Sequence, residues 1–297
     1  MTKRYGAAQA LRGIDLSVAQ GELFGFLGPN GAGKTTGIRI LLDLIRPTSG
    51  HARVLGFDAQ AEAVEARRRI GYLPGDAQFY RDMTSAELFA YVEQLRDGGV
   101  DHNYLRRLVD DLHLDVKRPI KALSRGNRQK AAVIQALMAQ PELVILDEPT
   151  TGLDPLMQDV VEELLREVAA DGRTVFFSSH LLAEVEQVCT RAAILREGRI
   201  VSVIDLAEQR RIAPREVHVV FEQAPPPDAF NAVPGIRVVR LEGTEARFET
   251  DGNVDALIKA LARYTVLELE SAEPTLEDLF RKYYEAPQEP PESEVAS

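Results

Sequence analysis

Apolar positions along the chain switch between two spacings. GELFGFLG is a short apolar run and predicts a buried strand. GPNGAGK reads as a glycine-rich turn, and TTGIRILLDLI carries apolar residues at helical spacing, with Pro47 and Gly50 to stop it. Short strands are expected around Ala52 to Leu55 and Ile70 to Leu73. From about residue 77 to 140 the pattern is wholly helical, in LFAYVEQLR, NYLRRLVDDL and QKAAVIQALMA. Strand runs return at LVILDE and TVFFSSH, separated by helices, one of them opening at Asp154-Pro155 with an Asp N-cap and Pro at the first helical position. Strands alternating with helices predict a parallel sheet wound by helices, interrupted by a helical insert, with ligands at the C-terminal ends of the strands.

From Arg215 the texture changes. EVHVVFE and IRVVRLE read as strands, VDALIKALARY as a helix, TVLELE as a strand, and Thr275 with Asp278 three residues on opens a final helix in a capping-box-like arrangement. The PPP at residues 225 to 227 marks a turn, and the Pro-, Glu- and Ser-rich tail APQEPPESEVAS is expected to be disordered. At roughly 150 residues per domain, 297 residues with 45% apolar content suggest two domains.

Charge sharpens that division. Residues 1–204 carry 25 Lys+Arg against 27 Asp+Glu, and residues 205–297 carry 10 against 19, so the net charge of -11 belongs mostly to the C-terminal part. An acidic balance argues against a general binder of nucleic acid or anionic lipid, which needs a positive footprint. The Arg67-Arg68-Arg69 run lies on a short charged helix and reads as a solvated face. The single cysteine, Cys189, lies in the apolar-periodic LLAEVEQVC and reads as a buried, inert thiol in a reducing cytoplasm. MTKRYG has no apolar core for a signal peptide, and no window approaches the roughly 18 apolar residues of a membrane span, so any membrane part belongs to another chain.

The chemistry begins at residues 28–35, which match G-x-x-x-x-G-K-[ST]. In such a loop, here Gly28, Pro29, Asn30, Gly31, Ala32 and Gly33, backbone N–H groups surround phosphate oxygens because glycine permits close approach. Lys34 then reaches the β- and γ-phosphates, the Thr35 hydroxyl coordinates Mg²⁺, and Thr36 supports the α-phosphate side. At the end of LVIL, Asp147 is placed to hold the same Mg²⁺, and Glu148 is the candidate base that polarises the attacking water.

With LSRGNRQ at residues 123–129 added, the chain resembles the nucleotide-binding subunit of ATP-binding-cassette (ABC) transporters, over roughly residues 3–204. GPNGAGKTT, LSRGN, LVILDE, TGLD and SSH follow in that family's order. The resemblance implies a P-loop NTPase parallel-sheet core with antiparallel edge strands and an α-helical insert, plus a small α+β C-terminal domain. It implies ATP and Mg²⁺ as cofactors, and a head-to-tail homodimer, or a heterodimer with a related ATPase. Ser124 and Gly126 would then complete the site of the partner rather than their own. It further implies that Tyr5 stacks on adenine, His180 contacts the γ-phosphate and Asp154 communicates across the dimer. The expected domains are an ATPase domain over residues 1–212, with the insert at about 77–140, an accessory α+β domain over 213–285, and a tail over 286–297.

Three departures from the family pattern stand out. Only Met1 and Thr2 precede KRYG where the family has a strand, so either the start is incomplete or the edge strand is missing. Gly75-Asp76 follows YLP where the family has a glutamine that senses Mg²⁺ and links insert to permease, which leaves Asp76 and Gln78 as substitutes. Arg125 and Asn127 replace a glycine and a glutamine of the signature, while Ser124 and Gly126 remain.

The function expected is an ATPase subunit that powers a separate transmembrane permease, peripheral on the cytoplasmic face of the cell membrane, without nucleic acid. EPTLEDLFRKYYE resembles the extension of exporter ATPases of the drug- and antibiotic-resistance type, which points to export of a drug, antibiotic or lipid-like substrate. The alternative is a soluble ABC ATPase acting on ribosomes or DNA. Only 89 residues separate Lys34 from Ser124, which leaves no space for the long coiled coils of chromosome-type members, and the chain has one motif set where translation-type members have two.

Overall fold

The computed structural model of the chain describes residues 1–96, 99–206, 208, 215–250 and 254–272. Two compact units divide it, Met1–Leu206 and Ala207–Ser297. The first opens with a hairpin of β1 (Thr2–Tyr5) and β2 (Ala8–Arg12). The edge strand before the turn at Gly6 is therefore present, tied at its start by Met1 and Ile14 exchanging N–H···O bonds of 2.9 Å.

Next come β3 (Leu23–Leu27), α1 (Lys34–Leu41), the two-residue strands β4 (Arg53–Val54) and β5 (Phe57–Asp58), α2 (Ala63–Arg68) and β6 (Ile70–Leu73). Helix α1 ends before the expected Pro47. Asp43 takes a left-handed φ of 52°, and the N–H groups of Leu44 and Ile45 fold back onto the Arg39 carbonyl, closing the helix as a left-handed cap does. The insert contains α3 (Ser85–Leu95), α4 (His102–Asp111) and α5 (Arg125–Leu137). A full capping box between Thr84 and Glu87 starts α3, and Asp101 caps α4. Helix α5 buries Ala131, Ala132, Val133, Ile134, Ala136 and Leu137, so it is an interior helix with only its N-terminal tip in solvent.

The unit closes with β7 (Leu143–Asp147), α6 (Pro155–Ala170), β8 (Thr174–Ser179), α7 (Leu182–Val188), β9 (Arg191–Arg196) and β10 (Arg199–Asp205). The main sheet runs β10-β9-β3-β8-β7-β6, parallel except for β10. Every residue of β3, β7 and β8 is buried, as expected of strands covered on both faces. In the core Phe24 stacks on Phe176 with centroids 5.9 Å apart, and Phe26 meets Phe176 tilted at 5.3 Å. Cys189 is free and buried, and burial pushes its thiol far above the usual range. No described helix is long and apolar enough to cross a membrane.

The second unit is a four-stranded antiparallel sheet, β12 (Ile236–Glu242), β13 (Glu245–Thr250), β11 (Arg215–Phe221) and β14 (Val266–Ala272), with α8 (Asp255–Leu261). Its core joins Val217, Val219, Phe221, Phe230 and Phe248 to Leu257 and Leu261 of the helix. The strand β13, absent from the sequence reading, completes the sheet. The helix expected at Thr275 and the tail over residues 286–297 lie outside the described residues.

Candidate active site

Parallel register brings three strand ends to one level. Leu27 of β3 pairs with Ser179 of β8, and Asp147 of β7 pairs with Ser178. The glycine loop, the Asp-Glu pair and the loop of His180 therefore meet at the C-terminal edge of the sheet.

The glycine loop follows β3 directly and hands over to α1 at Lys34. Gly28 is required by close approach: a β-carbon there would lie 2.3 Å from the Leu195 carbonyl oxygen. Pro29, Asn30 and Gly31 are exposed, Ala32 is buried, and Thr36 is half-buried in the first turn of α1. Lys34 is 5% exposed, and its ammonium donates to the carbonyls of Gly28 (2.6 Å) and Pro29 (3.3 Å) and lies 3.6 Å from Glu148. Burial lowers its pKa, and the charges of Glu148 and Asp147 offset part of that fall.

Asp147 divides its two oxygens. Thr35 donates to one at 2.8 Å and Ser178 to the other at 2.6 Å. A hydroxyl and a carboxylate so placed are hard oxygen donors of the kind Mg²⁺ takes. Tyr72 on β6 has its phenol pKa raised by burial first and by the Asp147 charge second. Glu148 stands in the left-handed region, φ 55°, a conformation that costs a non-glycine residue about 1–3 kcal/mol and persists where the surroundings enforce it. Its N–H donates to the Ser178 carbonyl at 3.1 Å, and Gln129 of α5 donates to the carbonyls of Glu148 (3.1 Å) and Pro149 (2.9 Å). Its carboxylate lies 3.2 Å from His180 Nδ1.

Lys34, Thr35, Asp147, Glu148 and His180 are thus one cluster. The other expected site residues stand elsewhere. Tyr5 is 48% exposed in the β1–β2 hairpin, with the Lys3 ammonium 4.9 Å above its ring. Ser124 caps α5, accepting from the Asn127 N–H at 3.2 Å, and Asp154 caps α6, accepting from Met157 at 3.2 Å; both side chains face solvent. Gly126 packs against the turn before Asp154, where a β-carbon would lie 3.0 Å from the Gly152 carbonyl oxygen. Signature tip and Asp154 turn thus form one exposed surface. Where the family has its glutamine, Gly75 backs onto Asp147, while Asp76 and Gln78 are exposed and bonded to each other at 3.2 Å.

Ser178, Gln129, Glu184 and Thr150 are bonded to the cluster or to the segments that carry it, and the sequence alone did not single them out. Two hydroxyls ending an otherwise apolar buried strand, as in VFFSS, were the available signal for Ser178; nothing local marks Gln129 or Glu184.

A profile of the family described as ABC transporter matches residues 11–151. An uncharacterized ABC transporter ATP-binding protein of Synechocystis is 35% identical over 280 residues, covering 92% of this chain and 77% of that protein. A Nod factor export ATP-binding protein of Ralstonia nicotianae is 35% identical over 205 residues, covering 67% and 63%. Among solved structures, an ATP-binding subunit of an ABC transporter superposes with a TM-score of 0.64 at 29% identity, over 71% of this chain and 89% of that one.

Proposed function

Because the chain belongs to the family of ABC transporter ATP-binding proteins, it is an ATP-hydrolysing transporter subunit, and we propose that it acts as one half of a head-to-tail pair driving a separate membrane permease in export. The observation that carries this reading is the cluster of Lys34, Thr35, Asp147, Glu148 and His180 at the mouth of the glycine loop. Backbone N–H groups of Gly28–Gly33 and the Lys34 ammonium hold the phosphates, and the dipole of α1 adds to their pull. Thr35 and Asp147 hold Mg²⁺, which supplies charge neutralisation of the phosphates when bound. Glu148 orients the attacking water, and His180, in contact with Glu148, faces the γ-phosphate. Tyr5 has the exposed ring needed to stack on adenine.

The N-terminal tip of α5, with Ser124 exposed and Gly126 half-buried against the turn before Asp154, suits the γ-phosphate of a partner's ATP, because a helix N-terminus carries the positive end of its dipole. A homodimer is the simplest such pair, and a related ATPase serves equally. For the permease, a groove between the loop after β6 and helices α3 and α5 offers Phe79, Leu88 and Tyr91, with Tyr80 and Leu95 60% and 65% exposed at its rim. Such a patch suits a short amphipathic helix of a membrane partner. The direction rests on the relative named for export and on the C-terminal unit; a drug, antibiotic or lipid-like molecule is the substrate class we favour.

Glu148→Gln keeps ATP binding and accumulates an ATP-bound dimer, read by gel filtration with ATP and Mg²⁺; a monomer under those conditions overturns the pairing. Lys34→Ala abolishes nucleotide binding, and unchanged ATP affinity overturns the phosphate grip. Affinity capture from detergent-solubilised membranes recovers a permease. Recovery of ribosomes or DNA in its place would favour the soluble alternative.

A further inference from the structure

Glu184 lies in the first turn of α7, where a glutamate ordinarily reaches back to a backbone N–H at its helix start. Here it does otherwise. Thr150 Oγ1 donates to one of its carboxylate oxygens at 2.7 Å, and Ser179 Oγ donates to the other in a short bond. Both residues are 1% exposed, so each hydroxyl needs a partner inside the protein. Thr150 is two residues after Glu148, and Ser179 immediately precedes His180. The Ser179 oxygen also accepts the Leu181 N–H at 2.9 Å, so the backbone on both sides of His180 is fastened to this one hydroxyl.

We propose that Glu184 is a positioning residue for hydrolysis: by bridging Thr150 and Ser179 it sets the spacing between the turn of Glu148 and the loop of His180. The inference rests on the roles assigned above to Glu148 and His180. Glu148 is in a left-handed backbone conformation, which persists where surrounding contacts hold it. Gln129 restrains its turn from the α5 side, through the carbonyls, and Glu184 restrains it from the α7 side, through Thr150. With one of these removed, the turn has freedom to relax. A relaxation of about 1 Å between groups that share a reaction is enough to lower turnover by about a hundredfold, whereas the bonds that fix Lys34 to the Gly28 and Pro29 carbonyls involve neither Glu184 nor Thr150.

The test compares steady-state ATP hydrolysis, ATP affinity and thermal melting of the full chain for Glu184→Gln, Thr150→Val, Thr150→Ser and, as reference, Glu148→Gln. Val matches Thr in shape without the hydroxyl, and Gln keeps one acceptor where two are needed. Both variants are expected to lose about tenfold or more in kcat with KM for ATP unchanged. Thr150→Ser keeps the hydroxyl and restores the rate. The double variant Glu184→Gln/Thr150→Val falls no further than the worse single one, because both break the same link. A wild-type kcat in Thr150→Val overturns the proposal even if Glu184→Gln fails to fold, and so does a kcat loss that Thr150→Ser shares in full. If Glu148→Gln hydrolyses ATP normally, the site reading itself has failed. If Glu148→Gln is inert while the Thr150→Val and Glu184→Gln chains run at wild-type rate, the positioning role alone is refuted.

Discussion

Replacing Gly28 by alanine tests the phosphate loop with one methyl group. Gly28 is not in the left-handed region, so alanine fits its backbone conformation; the obstacle is space. The new β-carbon would stand 2.3 Å from the Leu195 carbonyl oxygen and 3.2 Å from the Ala32 β-carbon. Leu195 belongs to β9, inside the main sheet, and cannot retreat without disturbing the pairing with β10, so the loop must move by about 1 Å instead. Overpacking of this kind costs about 1–3 kcal/mol, or roughly 2–12 °C in Tm for a domain of this size. The same shift strains the 2.6 Å bond from Lys34 to the Gly28 carbonyl and misaligns the N–H groups that receive phosphate. Each charge-assisted bond lost weakens ATP binding by about tenfold. Gly31→Ala is the control: it meets nothing within 4 Å, and its penalty is the φ of 82°, about 1–2 kcal/mol with no displacement of the loop base. Melting curves and titration with a fluorescent ATP analogue should rank Gly28→Ala as the more damaging on both counts. Equal stability and affinity in Gly28→Ala and wild type, or greater damage from Gly31→Ala, would refute the steric argument.

Ser124→Ala should cost about 1 kcal/mol through the lost cap, whereas Ser124→Asp keeps the cap and its stability yet blocks ATP-dependent pairing by setting a negative charge against the partner's phosphates. Normal pairing of Ser124→Asp on gel filtration would contradict the trans site. Glu162 of α6 is 4% exposed and its carboxyl pKa is raised, by burial first, with Arg166 opposing. A raised folded pKa means that the ionised form penalises the fold, so Glu162→Gln should melt higher than wild type at pH 7 to 8. That advantage should shrink as pH falls through the folded pKa toward 4.5; a pH-independent difference in Tm would refute it.

Much of the site was legible because its chemistry requires contiguous residues at fixed spacing. GPNGAGKTT was legible as a glycine-rich turn between a strand and a helix, and the cap at Asp154 was legible for the same local reason. Less legible were the short edge elements. RAAILR and RIVSVID turn around Glu197 and Gly198, both at positive φ, so a two-residue hairpin signal was present but not read. EARFET looked unremarkable alone and becomes β13 because strands on both sides complete its hydrogen bonding. The expected end of α1 at Pro47 was displaced by a backbone choice at Asp43, which composition does not announce.

Local backbone chemistry, written in consecutive residues, determined the glycine loop between β3 and α1, which charged side chains stand beside it and which helices begin where. Tertiary structure decided how those charges are shared. Thr35 and Asp147 are 112 residues apart and meet because parallel register aligns the ends of β3, β8 and β7. Thr150 and Glu184 meet only because α7 packs where it can reach both the turn after Glu148 and the strand end before His180. Spacing along a chain specifies conformation over a few residues; distances between separate strand ends depend on how the whole sheet closes, and no short window contains that information.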